Sequence, residues 1–88
     1  MVTEELLNER DSTHGSFIVN SRVAQSLKEV VRGEDSYKDL ASVHKEALDF
    51  IFSKIGRVMA GQADFYDHWE DIAGYGQLPV KFKHGKGN

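Results

Sequence analysis

The chain of 88 residues contains no cysteine and no long apolar run. Without cysteine it can form neither disulfides nor thiolate metal sites, which fits a reducing compartment. No apolar run approaches the roughly 18 residues that a membrane-spanning helix needs, and no basic region followed by an apolar stretch opens the chain. We therefore expect a cytoplasmic protein with no membrane partner.

Negative charge predominates, with a formal net charge of −3. The stretch after Pro79 carries Lys81, Lys83 and Lys86 and no acid, so removing these three cations leaves −6 for residues 1–79. An acidic body is a poor binder of nucleic acid. We expect residues 80–88 to be a flexible basic tail, since termini of this composition are usually mobile.

Apolar side chains exceed what a chain of this length can hide. So short a chain buries little more than about 60% of its unfolded surface, and oligomerisation commonly compensates. Several aromatic residues add to two apolar helix faces, and we therefore expect a homo-oligomer. The aromatic residues are Phe17, Phe50, Phe52, Phe65 and Trp69.

Four segments have helical periodicity, and no Val/Ile/Thr alternation indicates a sheet. The predicted fold is all-α, a small bundle of three to four helices in one domain, residues 1–79. The segments span residues 3–10, about 16 or 20 to 32, 42–60 and 67–75, with a turn at 11–15 and a polar connection at 34–40.

Glycine and proline mark the predicted helix ends. Gly33 is a C′-type stop, Gly61 ends the third segment, and Gly74, Gly76 and Pro79 end the fourth. Ser42 is a plausible N-cap. Gly56 lies inside the third segment, where it suggests the close approach of a neighbouring helix or is merely tolerated.

The fourth segment is the most informative. As a helix it places Asp67, His68, Asp71 and Tyr75 on one exposed stripe, with Trp69, Ile72 and Ala73 on the opposite, buried side. Such a stripe can hold a cation or a phosphate-bearing ligand. It can equally be an ordinary solvated face.

The third segment also has two faces. Its predicted core stripe comprises Leu48, Ile51, Ile55, Val58 and Met59, and the opposite face carries Glu46, Asp49, Phe50, Ser53, Lys54 and Arg57. Antiparallel helices joined by a short turn are normally neighbours. If the two acidic pairs converge, Glu46, Asp49, Asp67 and Asp71 suit Mg²⁺ or Mn²⁺, while Lys54 and Arg57 can meet phosphate oxygens. A solvated face explains the same pattern.

Histidines are weaker candidates. His14 beside Gly15 on a predicted turn can reach into a site, although a lone loop histidine is more often plain surface. His68 is flanked by acids that favour its protonated form. No glycine-rich phosphate loop, nucleophile elbow or paired-histidine zinc motif is present in the sequence.

Several blocks of the sequence occur in a characteristic order: His14-Gly15-x-Phe17, Ala24-Gln25-x-Leu27-Lys28, Glu46-Ala47-Leu48-Asp49-x-Ile51-x-x-Lys54-Ile55-Gly56-Arg57, Gly61 and Asp67-His68-Trp69-x-Asp71-Ile72-Ala73-Gly74-Tyr75. Over residues 9–78 they resemble a family of small phage and prophage proteins of unknown function. That family is distantly similar to the MazG-like all-α nucleotide pyrophosphohydrolases, which use Mg²⁺ held by carboxylates on two helices. Here Asp49 and Asp67 replace the usual glutamates, and Lys45 stands where an acid commonly precedes Glu46.

The resemblance implies a phage-type helical protein in the host cytoplasm, with a nucleotide or metal site between the third and fourth segments. If the protein is an enzyme, the resemblance implies a Mg²⁺-dependent pyrophosphohydrolase. The alternative is a non-catalytic inhibitor or sequestering protein that binds a host defence protein or a signal nucleotide.

Overall fold

A computed structural model describes residues 16–83 of the chain. Three α-helices make up most of this part: α1 Phe17–Arg32, α2 Ser42–Arg57 and α3 Tyr66–Lys81. No strand occurs within residues 16–83, and the predicted all-α class is confirmed. None of the described helices is long and apolar enough to cross a membrane. The predicted helix at 3–10 and turn at 11–15 lie outside the described residues.

Helix α1 begins at the earlier of its two predicted starts. The hydroxyl of Ser16 accepts a hydrogen bond from the backbone N–H of Val19 at 3.4 Å, which is the usual N-cap arrangement. The helix ends where expected, but Gly33 has a φ of −78° and not the left-handed value of a C′ glycine. The left-handed stop was a wrong prediction, because the backbone N–H of Gly33 instead closes one more helical turn on the carbonyl of Glu29 at 3.0 Å.

Helix α2 follows a short 3₁₀ helix, Asp35–Asp39, which occupies the predicted polar connection. Its N-cap is Ala41 and not the predicted Ser42. Alanine has no side-chain acceptor, but the Nδ1 atom of His44 accepts a hydrogen bond from the backbone N–H of Ala41 at 3.2 Å. His44 therefore plays the part that glutamate or glutamine usually plays in a capping box.

The end of α2 is a π-helical turn, Val58–Gln62, so the predicted α-helix to residue 60 is α-helical only as far as Arg57. Within this turn Gly61 has a φ of +106°. A backbone in this region disfavours side chains with a Cβ atom, which explains why a glycine stands where the chain leaves α2.

Helix α3 is longer than predicted. It continues through Gly74, Gly76 and Pro79 to Lys81, so the predicted end near residue 75 is wrong and the first residues of the predicted tail are helical. The reason is tertiary packing. After Ile72, the residues Tyr75, Leu78 and Pro79 recur at helical spacing and remain partly buried, and packing of such a stripe overrides local propensity.

The orientation of α3 also differs from the prediction. His68, expected on the exposed stripe, is 2% exposed, whereas Trp69, expected to be buried, is 49% exposed and Ala73 is exposed. The indole N–H of Trp69 donates to the carbonyl of Ala63 at 2.8 Å across the turn. Grouping residues by polarity gave the wrong face, because Asp71 and Tyr75 of the predicted exposed stripe contact Lys54 and Phe50 of α2.

The described helices form a single layer. Helix α2 packs against both α1 and α3, which make little contact with each other. Among residues 16–83 the buried side chains are small or polar: Asn20, Ala24, Ala47 and His68. The predicted core residues Leu48, Ile51, Ile55 and Val58 are only partly buried, and Met59 is 61% exposed. One layer of helices leaves its apolar side incompletely covered.

Candidate functional site

The polar face of α2 does not point freely into solvent, because its side chains reach the helices on both sides. Towards α1, the carboxylate of Asp49 lies 3.3 Å from the guanidinium of Arg32, and the Nζ atom of Lys28 donates to the hydroxyl of Ser53 at 3.4 Å. A hydrogen bond with Tyr37, and then the charge of Asp49, raise the pKa of the Arg32 guanidinium above its ordinary value. This face of α2, for which the sequence left a ligand site and a solvated face open, is therefore largely an interhelical face.

Towards α3, an ion pair joins the two helices. The Nζ atom of Lys54 lies 2.8 Å from a carboxylate oxygen of Asp71, and their side chains are 19% and 45% exposed. A lysine this enclosed gives up much of its hydration, and such pairs contribute little net stability.

One helical turn away lies an aromatic pair. The rings of Phe50 and Tyr75 stack with centroids 4.7 Å apart and planes inclined by 16°. The pairing follows from the antiparallel arrangement, since Phe50 precedes Lys54 by four residues on α2 and Tyr75 follows Asp71 by four on α3. Phe50 nevertheless remains 41% exposed, so the stack is open on part of its surface.

The remaining candidates are dispersed around this point. Arg57 continues the stripe of Phe50 and Lys54 on α2, and its Nε atom is buried. His68 is enclosed beside Phe65, with ring centroids 4.8 Å apart. Glu46 and Asp67 are exposed. The predicted candidate His14 lies outside the described residues.

The four predicted metal ligands do not come together. Within residues 16–83 no group of three or more histidine, aspartate or glutamate side chains could hold a metal ion. Asp49 and Asp71 point to opposite neighbours, each towards a cation. A preformed four-carboxylate centre therefore does not fit these residues. The prediction of Mg²⁺ or Mn²⁺ remains a prediction, because Mg²⁺ commonly arrives with substrate phosphates and needs only one or two carboxylates.

Two contacts define what we call the α2–α3 site, the Phe50–Tyr75 stack and the Lys54–Asp71 ion pair. We include Arg57, which follows Lys54 by three residues on α2. The sequence singled out each of these residues but did not pair Phe50 with Tyr75 or Lys54 with Asp71. The sequence did contain a signal for these two pairs, because Phe50 and Lys54 are four residues apart on α2, as Asp71 and Tyr75 are on α3. What was missing was the register between the helices, which depends on the length of the π-helical turn.

The chain matches no protein-family model, no curated protein and no solved structure. The resemblance to small phage proteins therefore stays a prediction based on the residues that suggested it.

Proposed function

We propose that the chain binds a phosphate-bearing nucleotide at the α2–α3 site. The observation that carries this proposal is the Lys54–Asp71 pair, a lysine side chain only 19% exposed and held 2.8 Å from a carboxylate. An incoming phosphate can take the place of Asp71 as the partner of Lys54, with Arg57 as a second donor. The displaced carboxylate is then available to a divalent cation that accompanies the nucleotide.

The catalytic form of the proposal is hydrolysis of a nucleoside triphosphate: water attacks the α-phosphorus, the bond from that phosphorus to the α–β bridging oxygen breaks, and the monophosphate and pyrophosphate leave with the protons of the water. Its support is a carboxylate 2.8 Å from the Nζ atom of Lys54, with Arg57 three residues further along α2, because cations can stabilise the charge that develops on a phosphoryl group. Formation of monophosphate and pyrophosphate in the presence of Mg²⁺ or Mn²⁺ distinguishes an enzyme from a binding protein.

Nucleotide binding is tested with Lys54→Met, which removes the charge and keeps most of the apolar stem. We expect this variant to lose at least about tenfold in nucleotide affinity, since hydrogen bonds between charged partners contribute about 1.5–3 kcal/mol. Titration calorimetry with a panel of nucleoside triphosphates, with and without Mg²⁺, measures the change. Lys38→Ala is the control, because Lys38 is an exposed lysine on the 3₁₀ helix. A parent protein that binds no nucleotide under any of these conditions contradicts the proposal.

We further propose that the chain acts as a homo-oligomer. The support is the single layer of helices, whose apolar side chains on α2 are only partly buried. A second copy of the chain can cover the apolar side that the helices within residues 16–83 leave open.

A second candidate function, the non-catalytic binding of another protein, is favoured by a different surface. At the corner between α2 and α3, Met59, Phe65, Tyr66 and Trp69 are 41–67% exposed. Exposed aromatic and methionine side chains are typical of protein-binding surfaces. This function needs neither a nucleotide nor a metal ion, so the titrations above separate the two candidates.

A further inference from the structure

We infer that Phe50 and Tyr75 form the platform on which the base of the nucleotide stacks, while Lys54 and Arg57 receive its phosphates. This inference rests on the proposed function and assigns the two ends of the ligand to different parts of the same site. The first observation is the stack itself, with centroids 4.7 Å apart and nearly parallel planes. A planar base extends such a stack with the same offset geometry.

The second observation is that the platform is open. Phe50 is 41% exposed although it stands between charged and polar residues on α2. A phenylalanine used only to pack α3 against α2 would gain by further burial. The accessible part of the ring can instead be covered by a ligand, which buries apolar surface without any change in the fold.

The third observation is spacing. Along α2, Phe50, Lys54 and Arg57 follow one another at intervals of four and three residues on one side of the helix. Successive members are therefore separated by roughly one helical turn, about 5.4 Å. This separation is comparable to that between the base and the 5′ phosphate of a nucleotide. An aromatic ring followed by two cations thus matches the order of groups along the ligand.

The chemistry of the platform also limits its selectivity. Every base presents a π face, so stacking tolerates different bases. The ring faces of Phe50 and Tyr75 offer no hydrogen-bonding group to a stacked base, so discrimination by stacking depends on ring area. We therefore assign the ligand class as nucleoside polyphosphates, with purines bound more tightly than pyrimidines.

The test compares adenosine triphosphate with inorganic tripolyphosphate, which has the phosphates and no base. The parent should bind the nucleotide with an affinity at least about tenfold higher than its affinity for tripolyphosphate. Phe50→Leu should abolish that preference while leaving the affinity for tripolyphosphate unchanged. Phe50→Tyr should retain the preference, because it keeps the ring. Phe65→Leu is the matched control, since Phe65 is also 41% exposed but lies outside the site.

The outcomes separate the inference from the proposal on which it rests. Equal affinity of the parent for the two ligands overturns the platform and leaves phosphate binding intact. An equal loss of affinity for both ligands in Phe50→Leu also overturns the platform, because such a loss indicates that Phe50 has a packing role. Binding of neither ligand by the parent overturns the proposed function itself, before any variant is measured.

Discussion

At the scale of single residues, a close approach between α1 and α2 depends on Gly56. A Cβ atom built on Gly56 would lie 2.5 Å from both the backbone carbonyl oxygen and the Oδ1 atom of Asn20. The sequence prediction that Gly56 admits a neighbouring helix is confirmed. The neighbour itself could not be predicted, because a buried asparagine breaks the apolar pattern by which contact faces are recognised.

We therefore predict that Gly56→Ala destabilises the protein although alanine favours helix. Overpacking costs about 1–3 kcal/mol, and the gain in helix propensity of up to about 1 kcal/mol offsets only part of it. Unfolding by denaturant measures the net loss. Gly74→Ala is the matched control, because nothing lies within 4 Å of its added Cβ, and it should stabilise by up to about 1 kcal/mol. Equal gains in both variants would contradict the close approach.

At the scale of elements, the sequence predicted the three described helices but not all their ends or faces. Periodicity locates a helix, because apolar residues must share a side. It could not show that α3 continues through Gly74, Gly76 and Pro79, since packing against α2 decides that. It also assumed that polar side chains avoid helix contacts, whereas Lys54 and Asp71 form one.

At this scale we make a prediction about the turn between α2 and α3. Gly61→Ala should cost about 1–2 kcal/mol, because a left-handed backbone brings Cβ close to the following carbonyl oxygen. Apart from the adjacent backbone, no atom lies within 4 Å of the added Cβ, so the whole effect is conformational. Gly61→Asn should lose less stability, since asparagine tolerates the left-handed backbone region. Thermal and denaturant unfolding compare the two, and an alanine variant as stable as the parent would contradict the φ of +106°.

At the scale of the whole molecule, the arrangement of the helices in layers could not be predicted from the sequence. Apolar stripes on the second and third predicted segments indicated a core, but the buried positions within residues 16–83 belong mainly to small or polar side chains. The candidate site was predictable as a set of residue types on two adjacent helices. The pairing of its side chains was not predictable, because Asp49 and Asp71 each pair with a cation and not with another carboxylate.

We predict that the protein associates at micromolar concentration. Light scattering should give a mass of at least twice the 9.9 kDa of one chain. Ile18→Lys should weaken the association, because Ile18 is 74% exposed in the protomer and a charge disfavours burial in an interface. Gln25→Lys, at another exposed position on α1, should have no effect. A parent that scatters as a single chain would remove the prediction.

The central position of α2 has a consequence for folding. Each outer helix packs on the helix next to it in the chain, so most native contacts join segments that are close in sequence. Chains of this kind lose little loop entropy before their contacts form and fold rapidly. Either hairpin, α1–α2 or α2–α3, can begin the process, but both need α2. This helix is therefore the expected nucleus, and its amides should be the last within residues 16–83 to exchange with solvent.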